Sequence, residues 1–245
     1  MLQTTQMTNK VWADIHTHIL PGIDDGASTA EESVMLLESL YGQGVTDVVL
    51  TPHFHLSEED VQNFLDRRNT SYTVLLDKIK ENGVIQNVKL HLGAEVRYDP
   101  NLVYTDIYKL CIENTSYLLL ELTKNYPFNF EKTIQWMLSQ GVTPILAHIE
   151  RFNYLINDRK LMEKLLREGA VFQCNAAALL NGAQKGTIKR LVKKGYVQLI
   201  ASDTHSSKFR PPVLAQAYDK LKKYSETLKS NSARVIGDVL LPEVI

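Results

Sequence analysis

The stretch Asp14-Ile15-His16-Thr17-His18-Ile19-Leu20-Pro21-Gly22-Ile23-Asp24-Asp25-Gly26-Ala27 decides how the rest of the chain reads. A short apolar run, Val11 to Ile15, leads into it, and Pro21-Gly22 breaks it. As a β-strand this run alternates its side chains between two faces, which predicts Asp14, His16 and His18 on one side. Two imidazoles two residues apart on one face can chelate a single metal ion. Two carboxylates, Asp24 and Asp25, follow in the next turn. A His-x-His pair alone is equally a histidine-rich strand end, so the reading depends on whether the chain supplies further ligands.

With 245 residues, 44% hydrophobic and 22% charged, the chain can bury a sizeable core, and disorder is excluded as its main theme. The formal charge of -1, with acids and bases interleaved, gives no basic face for nucleic acid. The first ten residues, MLQTTQMTNK, lack the apolar centre of a signal peptide and read as a loose N-terminal extension. No apolar run approaches the ~20 residues needed to span a bilayer, so membrane insertion is not expected and a cytoplasmic enzyme is. Cys111 and Cys174 are far apart and lack metal-type spacing.

Outward from the opening stretch, Ser28 and Glu31 form a capping-box pattern ahead of a helix that Gly42 and Gly44 end. A β-branched run, Val45 to Thr51, stops at Pro52 and carries His53 at its end. An amphipathic helix from Ser57 to Lys80 follows. Further strands are expected at Val88 to Val96, Tyr117 to Leu122, Val142 to Ala147, Ala170 to Asn175 and Tyr196 to Ser202. Helices between them are expected at Phe128 to Gln140, Asp158 to Glu168 and Lys185 to Lys194, with closing helices from Val213. Seven strands, most followed by a helix, imply parallel strands with right-handed crossovers. With no Gly-rich dinucleotide turn and no linker, one closed or nearly closed (β/α) barrel spanning residues 1–245 is expected.

In such a barrel the reactive side chains sit at the C-terminal strand ends. His16 and His18, with Asp25 in their loop, follow the first strand, and His53, Glu95, Glu121 and His148 end the next four. Asp203 and His205 end the last; the sixth offers only Asn175. So many imidazoles and carboxylates converging on one mouth would be costly to bury unpaired, and divalent cations supply the missing charge. Arg151 and Arg210 stand near ligand positions, and a guanidinium fork matches phosphate oxygens bidentately. Asp14 is a candidate to orient a ligand histidine. His55 shares the parity of His53, and His91 reads as a core or surface residue.

The motifs DIHTHILPGIDDGA, TPHF, LGAEVRY, LLLEL, AHIERF and SDTHSSKFRPP resemble the polymerase and histidinol phosphatase (PHP) family. They are most similar to its branch of bacterial manganese-dependent protein-tyrosine phosphatases of capsule and exopolysaccharide loci. The match runs from residue 14 to residue 212. It implies a distorted (β/α)7 TIM-like barrel with three divalent metals, most often manganese, with iron or zinc as alternatives. By this resemblance His16, His18, Glu95 and Asp203 hold the first metal, and Glu95 bridges to a second completed by Glu121 and His148. Asp25, His53 and His205 hold the third, and Arg151 and Arg210 contact phosphate. Glu121, where other PHP branches often carry histidine, favours the tyrosine-phosphatase branch; a phosphatase of a small ester such as histidinol phosphate is the alternative. The implied reaction is attack of metal-activated hydroxide on phosphotyrosine of a bacterial tyrosine kinase tail. The cysteines lack the Cys-x5-Arg loop that would form a phosphocysteine.

Overall fold

The computed structural model describes residues 11–81 and 85–237; the expected N-terminal extension lies outside the described residues. Nine strand segments occur among them: β1 (Ala13–Thr17), β2 (Asp47–Leu50), β3 (His53–Phe54), β4 (Lys89–Leu92), β5 (Glu95–Arg97), β6 (Tyr117–Glu121), β7 (Thr143–Leu146), β8 (Val171–Asn175) and β9 (Leu199–Ala201). Every pairing is parallel, in the orders β1-β2-β4 and β3-β5-β6-β7-β8-β9.

The second and third expected strands are each split in two, at Thr51-Pro52 and at Gly93-Ala94. The breaks lie side by side: Gly93 N–H donates to the Leu50 carbonyl at 2.9 Å and Glu95 N–H to the Pro52 carbonyl at 3.0 Å. Pro52 has no N–H to continue a ladder. Gly93 is tightly enclosed, because a Cβ there would lie 3.2 Å from Val49 Cγ1 and 3.3 Å from Thr51 Cγ2. At the other edge, Asp203 N–H donates to the His16 carbonyl at 3.0 Å and His18 N–H to the Thr204 carbonyl at 2.9 Å. The segment after β9 therefore pairs with the end of β1, in a parallel bridge between Thr17 and Thr204.

β1 departs from simple alternation. Asp14 is opposite Val48, yet Thr17 is opposite Leu50, so β1 carries one more residue than β2 between these pairs. Such a bulge re-aims the side chains that follow it. Asp14 thus faces away from His16 and His18, contrary to the alternation expected from sequence. Its carboxylate instead accepts the Ser202 N–H at 3.0 Å, tying β1 to the segment after β9, and among the described residues no hydrogen bond joins it to a histidine ring.

The helices are α1 (Ala30–Gly42), α2 (Val61–Glu81), α3 (Phe130–Ser139), α4 (Asn153–Ile156), α5 (Arg159–Glu168), α6 (Ala176–Asn181), α7 (Lys185–Lys193), α8 (Leu214–Lys220) and α9 (Ser225–Ile236). The cap of α1 is Thr29, not Ser28: Thr29 Oγ1 accepts the Glu32 N–H, and Glu32 reaches back to the Ser28 N–H at 3.1 Å. The cap sits one residue later than expected, since adjacent Ser/Thr and Glu/Glu pairs allow either register, and Glu32 closes on Ser28 rather than on the N–H of the cap itself. α2 starts at Val61 rather than Ser57, because a turn at His55 takes the Glu58 N–H and Asp60 caps the Asn63 N–H at 2.9 Å.

Two apolar clusters flank the sheet. The smaller, with Ala13, Ile15, Val49, Leu119, Ile145, Leu199 and Ala201, shares the sheet face of Glu95, which is in register with Leu119. The larger packs the opposite face against the helices and includes Phe54, Phe64, Leu37 and Leu75. Phe54 is fully buried, its ring centroid 5.1 Å from that of Phe64, and it directly follows His53. Phe54→Ala is expected to destabilise the protein by ~3–5 kcal/mol, the usual range for truncating a buried aromatic, measured as a lowered urea midpoint at unchanged m-value.

Candidate metal centre

His16 lies within the β1 bulge and His18 just after the strand, His53 opens β3, Glu95 opens β5 and Glu121 closes β6. His148 follows β7, and Asp203 and His205 follow β9. His148 and Asp203 adopt left-handed backbone, with φ of 31° and 53°. Non-glycine residues adopt this conformation only where the surroundings over-determine it, and such strain concentrates at functional sites. Each sharp turn sends its side chain over the strand ends. At Asp203 it also ends the simple alternation expected across Val197 to His205.

The donor atoms crowd together. His16 Nε2 lies 3.1 Å from His18 Nε2, 3.3 Å from Glu95 Oε2 and 3.4 Å from Asp203 Oδ1. His18 Nε2 lies 3.2 Å and 3.5 Å from the same two oxygens. Ligands held ~2.1 Å from one ion at tetrahedral or octahedral angles are themselves ~3.0–3.4 Å apart, so these separations are those of a coordination polyhedron. A second group is formed by His148 Nε2, 2.8 Å from Glu95 Oε1 and 3.6 Å from Glu121 Oε1. In a third, Asp25 Oδ1 lies 3.3 Å from His53 Nε2 and 3.2 Å from His205 Nε2, with His18 also within reach. Glu95 touches both of the first two groups, and its Oε2 is 3.1 Å from His53 Nδ1. All nine candidate ligands, His16, His18, Asp25, His53, Glu95, Glu121, His148, Asp203 and His205, therefore gather in one place.

The outer nitrogens of three histidines are already engaged. His18 Nδ1 donates to Asp24 Oδ2 at 2.8 Å, His205 Nδ1 to the Asp203 carbonyl at 3.0 Å, and His16 Nδ1 faces Gln173 Oε1 at 3.4 Å. A neutral imidazole that donates from Nδ1 to an oxygen keeps its lone pair on Nε2, the atom that in each case points into the cluster and that a metal would take in place of a proton. Among the described residues His205 Nε2 and His53 Nδ1 are buried without a hydrogen-bond partner. This donor set fits divalent metal ions.

Electrostatics agree. Burial opposes a charged His18, but its hydrogen bonds to Asp24 and Glu95 outweigh it and push it up to about 10. His16 is raised for the same reason, burial being overcome by Glu95 and Asp203. His205 is pulled down to about 4, chiefly by burial and by the neighbouring His18. Asp24, despite burial, is held at about 2 by His18. Glu95 and Asp203 lie well below the ordinary carboxylate range, the histidines prevailing over burial. The carboxylates are thus ionised and need positive charge beside them, from protonated imidazoles or from metal.

Some contributors are only located by the sequence, as Asp24 in the turn and Asn175 at the sixth strand end, and others, such as Gln173, escape it. Asp24 orients His18 and also accepts the His53 N–H at 3.1 Å. Gln173 accepts the His148 N–H at 2.7 Å, and Asn175 donates to Asp203 Oδ2 at 2.5 Å. Gly26 is where it is because a Cβ there would lie 2.1 Å from the His18 carbonyl oxygen. Arg151 and Arg210 do meet at the centre, their Nη2 atoms 2.8 Å and 2.5 Å from Asp203 Oδ2. They are not the only arginines there: Arg97, two residues after Glu95, lines the same cavity of about 220 Å³ with them. Strand parity with Glu95 was the signal for it. His55 comes close enough to His53 and Glu121 to share an ion, whereas His91 bonds Asp47 at 3.0 Å, away from the cluster.

Parallel strands carrying imidazole–carboxylate clusters beyond their C-terminal ends define this chain as an α/β protein with a candidate multinuclear metal centre. The family model described as capsular polysaccharide synthesis, CpsB/CapC, matches residues 12–235, and the chain belongs to that family. It is 31% identical to the tyrosine-protein phosphatase CpsB of Streptococcus pneumoniae, covering 93% of this chain and 99% of the relative. It is 30% identical to CpsB of Streptococcus agalactiae over 84% of this chain and 87% of the relative. A solved structure from work on YwqE of Bacillus subtilis and CpsB of Streptococcus pneumoniae, described as metal-dependent tyrosine phosphatases, superposes with a TM-score of 0.78 at 24% identity. It covers 91% of this chain and 94% of that one. A variant of the organophosphorus hydrolase from Deinococcus radiodurans shares the fold more distantly, with a TM-score of 0.53 at 11% identity, covering 93% of both chains.

If Asp24 fixes the His18 tautomer, Asp24→Ala should weaken metal binding ~10–100-fold, the usual cost of losing such a partner. Isothermal titration with manganese would measure it, with circular dichroism to confirm the fold.

Proposed function

We propose that this protein is a metal-dependent protein-tyrosine phosphatase. In this reading its strands form one distorted (β/α)7 barrel domain spanning the chain, and the mouth holds three divalent ions, most often manganese. The carrying observation is the set of imidazole Nε2 atoms turned toward buried carboxylates at ligand-to-ligand separations, with arginines on the rim. His16, His18, Glu95 and Asp203 would hold one ion, Glu95, Glu121 and His148 a second, and Asp25, His53 and His205 a third. The family and the names of its relatives support the same activity.

When bound, the metals supply an acidified water near neutral pH and positive charge against the phosphoryl oxygens. The chain's own groups do the rest. Arg151 and Arg210 each spend one Nη2 on Asp203, which fixes the guanidinium planes beside the cavity. Their remaining N–H groups, with those of Arg97, are placed to take phosphoryl oxygens. The cavity of about 220 Å³ over the ligands has room for a phosphoryl group but not for a peptide. Burial raises the Cys111 thiol to about 12 and Cys174 well above its ordinary value, which suits neither for nucleophilic attack.

The substrate in this reading is phosphotyrosine on the tail of a bacterial tyrosine kinase that controls capsule or exopolysaccharide assembly. The setting is cytoplasmic; among the described residues no helix is long and apolar enough to cross a membrane.

Two measurements test this. Stripping metals with a chelator should abolish hydrolysis of a phosphotyrosine peptide, and manganese should restore it; activity surviving the chelator would end the proposal. Arg151→Ala and Arg210→Ala should each lower kcat/KM about 100-fold, the scale of losing one preorganised donor to developing charge. Comparing kcat/KM for phosphotyrosine peptide and histidinol phosphate separates the two substrate classes.

A further inference from the structure

Beside the small cavity over the ligands lies a larger groove of about 860 Å³, and the two share Arg151, Asp203 and Arg210. Pockets that enclose whole ligands run ~300–1,000 Å³, so the groove is large enough for several residues of a chain. Its wall is built by α6, a helix not expected from the sequence, by the start of α7, by α8 and by the loop after β9.

Three observations describe what fits there. Phe209 lines the groove, is 90% exposed and directly precedes Arg210, which lines both groove and cavity, so an aromatic ring attached to a phosphoryl group held there would come beside it. Farther out, Lys185 and Lys220 line the groove, and neither has an ion-pair partner among the described residues. Among the described residues its only lining carboxylates are Glu150 and Asp203; both are buried, Glu150 accepting the Asn175 N–H and Asp203 held by the arginines. Side-chain amides of Asn181, Gln184 and Gln216 lie between, and amides can both donate to and accept from peptide groups.

The geometry points to this groove as the docking cleft for the polypeptide around the phosphotyrosine, with Phe209 packed on the phenol ring and Lys185 and Lys220 reading acidic side chains beside it. This inference rests on the phosphatase reading above. Continuity with the arginines aligns the cleft with the reacting group, and the unpaired lysines set the charge of the partner.

The test uses the full-length, manganese-loaded protein and three substrates: p-nitrophenyl phosphate and two phosphotyrosine peptides of equal length, one with acidic flanks and one with neutral flanks. Wild type should favour the acidic peptide about tenfold in kcat/KM, as expected for two screened surface pairs. The preference should fade as ionic strength rises. Lys185→Gln with Lys220→Gln should remove the preference, and Lys185→Glu with Lys220→Glu should invert it. Phe209→Ala should raise KM for both peptides more than it lowers kcat. Equal rates for both peptides in wild type, a preference surviving both lysine pairs, or an unchanged KM for Phe209→Ala would overturn the assignment. If p-nitrophenyl phosphate itself is not hydrolysed, the phosphatase reading fails instead. The cleft is then judged by fluorescence anisotropy of the acidic peptide carrying a phosphonate in place of the phosphate: binding lost in the lysine variants supports it, and no binding by wild type overturns it.

Discussion

One buried carboxylate organises this molecule. Glu95 is 1% exposed and has His16, His18 and His53 within 3.3 Å of Oε2, and His148 at 2.8 Å from Oε1. A carboxylate in that position cannot stay ionised without cations around it. The four imidazoles, and the metal ions that fit between them, answer that requirement. They come from the ends of three strands, His16 and His18 from the first, His53 from the second and His148 from the fifth, so satisfying Glu95 on the third also fixes how these four strands of the expected order converge.

The backbone bends to serve this arrangement. The extra residue in β1 separates Asp14 from His16 and frees each for a different task. Asp14 ties the first strand to the last through Ser202, and His16 and His18 turn to the cluster. The left-handed turns at His148 and Asp203 carry local strain that an ordinary strand end would avoid. Asp203 is compensated by three donors on one oxygen, from Asn175, Arg151 and Arg210. The same three-way grip brings the arginines to the cavity, so a ligand carboxylate also positions the groups suited to phosphate.

Much of the fold was legible because apolar runs, glycines and capping residues act locally. Asp158 and Gly169 bracket α5 as the sequence implied, Asp158 accepting the Leu161 N–H and Gly169 taking a φ of 110°. What was misread depended on partners far along the chain. Pairing of the neighbouring breaks at Pro52 and Gly93 split two strands that looked continuous. Gln173 lies in the middle of an apolar strand and gave no sign of serving both His16 and His148. Arg97 was readable from its parity with Glu95, but without a visible cavity it resembled any exposed arginine.

By itself the sequence determined the alternation of strands and helices and the identity of the groups delivered at the strand ends, because side-chain spacing and donor chemistry are written residue by residue. The tertiary structure alone decided which nitrogen of each histidine faces the cluster, which carboxylate touches which group, and that Asp24 rather than Asp14 orients a histidine. Those are distances between residues up to 188 positions apart in the chain, as for Asp14 and Ser202. No local propensity encodes them; they follow only when the sheet register, the β1 bulge and the two left-handed turns are set together.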